Sequence, residues 1–111
     1  MDKIAQYQLF LKEILEEYAS HRPSNEQVVN QILADDAQGH YYLMRVGWKR
    51  GLRVHGCVFH ADIIGEKIWI QDDWTEYGIA NELTDRGVPR TEIVLAFYLE
   101  TERANTDFAV N

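Results

Sequence analysis

The N-terminal segment carries apolar side chains at steps of three and four residues. Residues spaced in this way share one face of an α-helix, so the pattern predicts a helix over residues 2–20. Asp2 is placed to cap its start, and Pro23 predicts an end shortly after residue 20. The apolar members are Ile4, Tyr7, Leu11, Ile14, Leu15 and Tyr18. We expect this stripe to pack on a sheet; its use as a partner helix in a dimer is the alternative.

The middle of the chain is typical of β-strands, most clearly where apolar and polar positions alternate. Strands are predicted over residues 27–34, 40–48, 53–64 and 67–71. Short turn segments separate them, so consecutive strands pair in an antiparallel meander. In a regular third strand, one face carries Val54, Val58, His60, Asp62 and Ile64, and the other carries His55, Cys57, Phe59, Ala61 and Ile63.

The last third of the chain predicts short helical pieces. Thr75 is the expected N-cap of a helix through Arg86, and Gly87 with Pro89 ends it. One further helical turn is expected over residues 89–92 and a short strand over residues 93–98. The whole chain, residues 1–111, therefore predicts one α+β domain with a long N-terminal helix packed on an antiparallel meander sheet and a shorter C-terminal helical region. The helices are expected to cover one sheet face, and the other face can pack against a second layer or a second subunit. We therefore expect a homodimer.

Composition and charge narrow the class of protein. The 111 residues are 46% hydrophobic and carry a net charge of −7, as expected of one globular domain that repels phosphate backbones. The longest apolar run is too short to cross a membrane, and the first residues do not resemble a signal peptide. Cys57 is the single cysteine, which excludes an intrachain disulfide and a zinc cage built from cysteines. We expect a soluble, cytoplasmic protein.

The sequence lacks the motifs of several enzyme classes. No Glu-x-Lys or Asp-x-Lys triplet is present, as a magnesium-dependent nuclease of that type needs. Gly-x-Ser-x-Gly and glycine-rich phosphate loops are absent as well. Cys57 lies in an apolar strand pattern, where cysteine behaves as a small hydrophobe. We therefore expect no enzyme, no catalytic residue, no cofactor and no metal.

Two groups of residues still merit attention as candidate sites. His60 and Asp62 lie two apart on one strand face, which suits either a structural pair or part of a metal or catalytic site. His55 is expected on the opposite face, so further ligands are missing. The second group surrounds the first hairpin and comprises Arg45, Trp48, Lys49, Arg50 and Arg53. It is either a solvated turn or a contact to an acidic partner or a nucleic-acid backbone.

Aromatic residues are frequent in the predicted strands. Tyr41, Tyr42, Trp48, Trp69 and Trp74 are either core residues or members of an interface, where Tyr and Trp are enriched.

Several segments, taken in order, resemble one known family. They are residues 1–18, Val46-Gly47-Trp48, residues 54–63 (VHGCVFHADI), residues 65–71 (GEKIWIQ) and residues 87–95 (GVPRTEIVL). Together they resemble the XisI-like family, the fdxN element excision controlling factor proteins of cyanobacteria, over nearly the whole chain.

The resemblance implies an accessory factor in programmed excision of a DNA element during heterocyst development, in which a separate protein is the recombinase. It also implies a frequent companion, the XisH-type protein, which resembles a restriction-endonuclease fold. It assigns no catalytic residues; His60 and Asp62 match the family's motif without a known role.

Two functions follow as hypotheses. The first is a regulatory module without enzymatic activity that acts through a protein partner, the XisH-type protein, and contacts DNA only indirectly or weakly. An acidic domain can dock on a basic partner that itself binds DNA. The alternative is a direct DNA-binding protein that uses the basic hairpin Arg45–Arg53. An enzyme built around His60 and Asp62 is a third, weaker hypothesis.

Overall fold

The computed structural model describes residues 2–21 and 27–111. Helix α1 spans Lys3–Ala19, and the Asp2 side chain accepts a hydrogen bond from the backbone nitrogen of Ala5 at 2.8 Å. The predicted helix and its N-cap are thereby confirmed. Ser20 is the C-cap residue. The end signal at Pro23 lies outside the described residues.

A five-stranded sheet follows, with the strands in sequence order. Its strands are β1 (Gln27–Asp35), β2 (His40–Lys49), β3 (Leu52–Ile64), β4 (Lys67–Asp73) and β5 (Ile93–Leu95). The first four pair antiparallel, which confirms the meander, and β5 joins β4 in parallel. Arg50 and Gly51 form the β2–β3 turn, both with positive φ, as a tight two-residue hairpin requires.

Strand β3 is interrupted by a bulge that the alternation pattern did not predict. Leu43 pairs with Phe59, but the next residue, Met44, pairs with Cys57, so Val58 is an extra residue without a β2 partner. Partners in an antiparallel ladder share a face, so the bulge reverses the alternation along β3. The predicted placement of Cys57 and His55 beside Phe59 is therefore wrong. Both lie on the face that carries His60.

The segment after β4 also differs from the prediction. Helix α2 spans Ile79–Asp85, so Thr75 is not its N-cap. The carboxylate of Asp73 instead accepts hydrogen bonds from the backbone nitrogens of Thr75 and Ile79, which holds residues 75–78 in a turn. Gly87, with φ of 99°, ends α2 as predicted, because only glycine adopts that conformation without strain.

The remaining C-terminal elements are short. A 3-10 turn spans Arg90–Glu92, as predicted, and the predicted strand over residues 93–98 is confirmed as the shorter β5. Helix α3 spans Glu100–Arg103. These elements and α2 form the shorter C-terminal helical region of the predicted α+β fold.

The core lies between α1 and one face of the sheet. Tyr7, Leu11, Ile14 and Leu15 of α1 form one buried cluster with residues of the sheet and of α2. The sheet contributes Tyr41, Leu43, Phe59, Ala61, Ile68 and Ile70, and α2 contributes Ile79, Ala80 and Leu83. On the second sheet face, Val29, Leu33 and Trp48 are exposed, whereas Trp69 lies under Arg103 and Val94 is fully buried.

Polar contacts fix both halves of α1 to the sheet layer. Tyr7 donates a hydrogen bond to Glu92, and Lys3 forms an ion pair with the same carboxylate at 3.0 Å. These two donors lower the pKa of Glu92. Further along the helix, Lys12 pairs with Asp36 at 2.7 Å. Among the helices of residues 2–21 and 27–111, none has the length and apolar character to cross a bilayer.

Candidate functional site

The side of the sheet that faces away from α1, here called the outer face, carries His60, Asp62 and several other residues singled out from the sequence. Tyr41, Leu43, Phe59 and Ala61 point to α1 and are buried, so the alternating positions lie opposite. The outer face of β1 and β2 carries Val29, Leu33, His40, Tyr42, Met44, Val46 and Trp48. On β3 it carries His55, Cys57, His60 and Asp62.

Three chemically active side chains meet on this face. The Nδ1 atom of His40 lies 2.8 Å from Oδ1 of Asp62, and the Nε2 atom of His60 lies 2.7 Å from the same oxygen. One donor atom from each residue lies within 4.8 Å of the other two. We refer to His40, His60 and Asp62 as the His–His–Asp cluster.

Burial and neighbouring contacts hold the cluster in place. Asp62 is 8% exposed and is the buried charged residue of the described chain. Its second oxygen, Oδ2, accepts a hydrogen bond from Nε2 of Gln71 at 3.3 Å. The ring of Tyr42 stacks on His60 with centroids 4.0 Å apart and an angle of 29° between the planes. The carboxylate and one imidazole are thus oriented, whereas His40 is more exposed.

Two bulges, one in β3 and one in β4, bring these side chains together. Beyond the Val58 bulge, the β2–β3 register places His40 opposite Asp62. In β4, His60 pairs with Asp72 and Ala61 with Ile70, so Gln71 is an extra residue. Gln71 is also the residue that orients Asp62. Bulges re-aim side chains and are frequent next to sites, which is the role that both fill here.

Sequence reasoning found His60 and Asp62 but missed His40. A regular hairpin closed by Arg50 and Gly51 pairs Lys49 with Leu52, and its continuation puts His40 opposite Ala61 on the wrong face. The extra residue at Val58 corrects the register by one. The available signal was that His40 begins the strand next to β3. It becomes informative only once the bulge is known, because the bulge places His40 opposite Asp62.

The cluster has the donor set of a transition-metal site. Two imidazoles and one carboxylate are ligands that zinc and related divalent ions accept, while Mg²⁺ and Ca²⁺ prefer oxygen donors. Without an ion, the same atoms form a hydrogen-bonded triad in which both rings donate to one carboxylate oxygen. The geometry therefore provides a place for a ligand or a structural lock on the outer face.

The basic hairpin is divided between the two sheet faces. The Arg53 guanidinium lies 5.4 Å from the centre of the Trp48 ring and donates to the carbonyl of Gly47 at 3.3 Å. Arg50 and Lys49 are exposed in and next to the turn. Arg45, by contrast, pairs with Gly56 and shares the α1 side with Leu43. The structure brings Trp48 and Arg53 together and places Arg45 opposite them.

The aromatic residues divide into core and surface. Tyr41 is fully buried, and its hydroxyl donates to Asp36 at 2.6 Å. Trp69 lies partly buried beneath Arg103, whose guanidinium is 5.6 Å from the ring centre. Trp48 and Trp74 are exposed. Of these aromatics, Tyr42, Trp48 and Trp69 lie on the outer face. Tyr42 and Trp48 are next to exposed Val29 and Leu33, and Trp69 pairs with Asp62.

Cys57 lies on the outer face at intermediate burial. Burial, with a smaller contribution from Asp72, raises the pKa of its thiol. A thiol with a raised pKa is mostly protonated at neutral pH and is a weak nucleophile. The environment therefore gives no support to a reactive cysteine.

Comparison with known proteins agrees with this architecture. A family model described as XisI protein matches residues 1–110. The chain is similar to a crystal structure described as a XisI-like protein from Anabaena variabilis ATCC 29413, with 39% identity, a TM-score of 0.91, and coverage of 98% of this chain and 100% of the other. It is also similar to the fdxN element excision controlling factor XisI from the same organism, with 29% identity, a TM-score of 0.85, and coverage of 99% and 100%. The comparison with curated proteins gave no significant match. With a family match over nearly its whole length, this chain belongs to the XisI family.

Proposed function

We propose that this protein is a controlling factor for excision of a DNA element, that it has no enzymatic activity, and that it acts by binding an XisH-type protein. The observation that carries the proposal is the XisI family match over residues 1–110. It is supported by the likeness to an Anabaena protein described as an excision controlling factor. The binding partner is inferred from the surface described next, and the lack of catalysis from the enzyme motifs that the sequence lacks.

The outer face is the surface that suits a protein partner. Val29 is 57% exposed, Leu33 53% and Trp48 52%, and all three lie on the same side of β1 and β2. Apolar and aromatic side chains grouped in this way are typical of interfaces. Strand β1 is also a terminal strand of the sheet, which offers backbone groups for pairing with another chain.

The net charge of the chain favours a partner that itself binds DNA. The chain has 18 acidic and 11 basic residues, so its overall field attracts a basic protein and repels a phosphate backbone. If the XisH-type protein, with its endonuclease-like fold, binds DNA, it does so through basic residues that neutralise phosphates. An acidic controlling factor complements such a protein and can approach the DNA only through it.

Co-expression with an XisH-type protein tests this proposal directly. We expect a mixed complex, with a mass by light scattering that equals whole-number copies of both chains. Leu33→Asp, or Val29→Asp, places a charge in the outer face and should abolish the complex while the free protein stays folded. Leu9→Asp is the matched control, because Leu9 is 43% exposed on α1, away from the outer face.

Two outcomes would overturn the proposal. In one, the two proteins fail to form a complex, and the chain is a homodimer whose dimer contact is lost in Leu33→Asp; the outer face then binds a second copy. In the other, the complex forms but is weakened only by Leu9→Asp; this outcome keeps the partner and overturns the placement of the interface on the outer face, since the contact then lies on α1.

A further inference from the structure

We propose that the His–His–Asp cluster binds one divalent transition-metal ion of the zinc class. Nδ1 of His40, Nε2 of His60 and a carboxylate oxygen of Asp62 are its ligands. This inference rests on the geometry of the cluster alone and is independent of any partner protein.

The donor atoms already converge on one point. Both imidazole nitrogens lie within 2.8 Å of the same Asp62 oxygen. In a tetrahedral site with ligand bonds of about 2.0–2.1 Å, donor atoms lie about 3.3 Å apart. An ion therefore fits after the rings withdraw by roughly half an ångström. His40 can make this adjustment, since it is the first residue of β2 and its side chain is 46% exposed.

The residues around the cluster provide the hydrogen bonds and packing that metal ligands require. A second layer of hydrogen bonds normally fixes ligating carboxylates and rings. Here Gln71 holds the Asp62 oxygen Oδ2, which turns Oδ1 toward the histidines. Tyr42 stacks against the His60 ring and fixes its plane. Both supports depend on strand register, and Gln71 is itself the bulge residue of β4.

The chemistry selects the class of ion. Two neutral imidazoles and a carboxylate bind Zn²⁺ and neighbouring first-row ions, whereas Mg²⁺ requires oxygen donors in an octahedron. Three protein ligands leave the fourth tetrahedral position open. The His40 side chain is 46% exposed, so water or a donor from another molecule can reach the cluster and complete the site.

Titration of the tag-free chain with ZnCl₂ tests the proposal by calorimetry, and Co²⁺ absorption reports the coordination geometry. We expect one Zn²⁺ per chain, no binding of Mg²⁺ under the same conditions, and a rise in melting temperature with Zn²⁺. Gln71→Ala should weaken Zn²⁺ binding about 10–100-fold, as loss of an orienting hydrogen bond does. His40→Gln and His60→Gln should weaken it further.

Matched controls separate this site from adventitious binding. His55→Gln removes a histidine from the same face and strand, and Cys57→Ser removes the nearby thiol; both should keep the full affinity. The proposal is wrong if the wild-type chain binds no Zn²⁺ at a one-to-one ratio. It is equally wrong if His40→Gln and His60→Gln bind Zn²⁺ as tightly as His55→Gln does. Circular dichroism of each variant checks that it is folded, and His40→Gln, at an exposed position, decides the matter if His60→Gln does not fold.

Discussion

Gly47 of β2 lies very close to the backbone of β1. A Cβ atom at this position would lie 2.0 Å from the carbonyl oxygen of Gln27 and 2.8 Å from Cα of Val28. Both neighbours are backbone atoms, so the clash cannot be relieved by a side-chain rotation. We expect Gly47→Ala to lower the free energy of unfolding by about 1–3 kcal/mol, measured by urea denaturation, as overpacking does elsewhere.

Gly56 provides the matched control at the residue scale. It lies on the neighbouring strand β3, and a Cβ atom there meets nothing within 4 Å. Gly56→Ala should therefore change the stability by less than about 0.5 kcal/mol. Equal losses in the two variants would show that alanine is disfavoured in these strands generally and that the close approach at Gly47 is not the cause.

At the scale of elements, helix α1 supplies about a quarter of the buried apolar residues of the described chain, so its packing on the sheet should contribute strongly to stability. Leu11, Ile14 and Leu15 are fully buried against the sheet. Ile14→Ala removes three methyl or methylene groups and leaves a cavity, so we expect the free energy of unfolding to fall by about 2–5 kcal/mol. Leu9→Ala, on the exposed side of the same helix, should cost less than about 1 kcal/mol. A loss below 1 kcal/mol for Ile14→Ala would contradict the packing of α1 on the sheet.

The elements differ in how far the sequence predicts them. Periodicity alone predicts α1 and the meander, because one buried face imposes a repeat on each element. It does not predict the start of α2, because Asp73 rather than Thr75 accepts the hydrogen bond from Ile79. A capping side chain six residues from its partner leaves no local signature in the sequence.

The candidate site was predictable only in part, for a related reason. His60 and Asp62 follow from strand alternation, since they are two residues apart on one strand. His40 joins them through a register that depends on a bulge at Val58. The face to which a side chain points relative to a neighbour on the same strand is set by local geometry. The identity of its cross-strand partner depends instead on the register, and so on every residue between the pair and the turn.

At the scale of the whole molecule, net charge and the placement of the basic residues decide whether the chain can bind DNA unaided. The net charge of −7 opposes association with a polyanion. The basic hairpin does not offset this field with a single patch, because Arg45 lies on the face opposite Trp48 and Arg53. Few phosphate contacts are then available, and the counterion release that drives non-specific binding is small.

We therefore expect only weak binding of duplex DNA by the isolated protein. Fluorescence anisotropy with a labelled duplex at physiological salt should give a dissociation constant above about 10⁻⁴ M, the weak end of non-specific binding. Arg50→Glu with Arg53→Glu should change this value little. Arg90→Glu is the control, since Arg90 is exposed outside the hairpin. The opposite result would be tight binding by the wild-type chain, with a weaker salt dependence in the Arg50→Glu, Arg53→Glu variant alone. The slope of log affinity against log salt concentration would then be smaller by about two in that variant, because each phosphate contact contributes about one. That result would identify the hairpin as a DNA contact and favour direct binding over action through a partner.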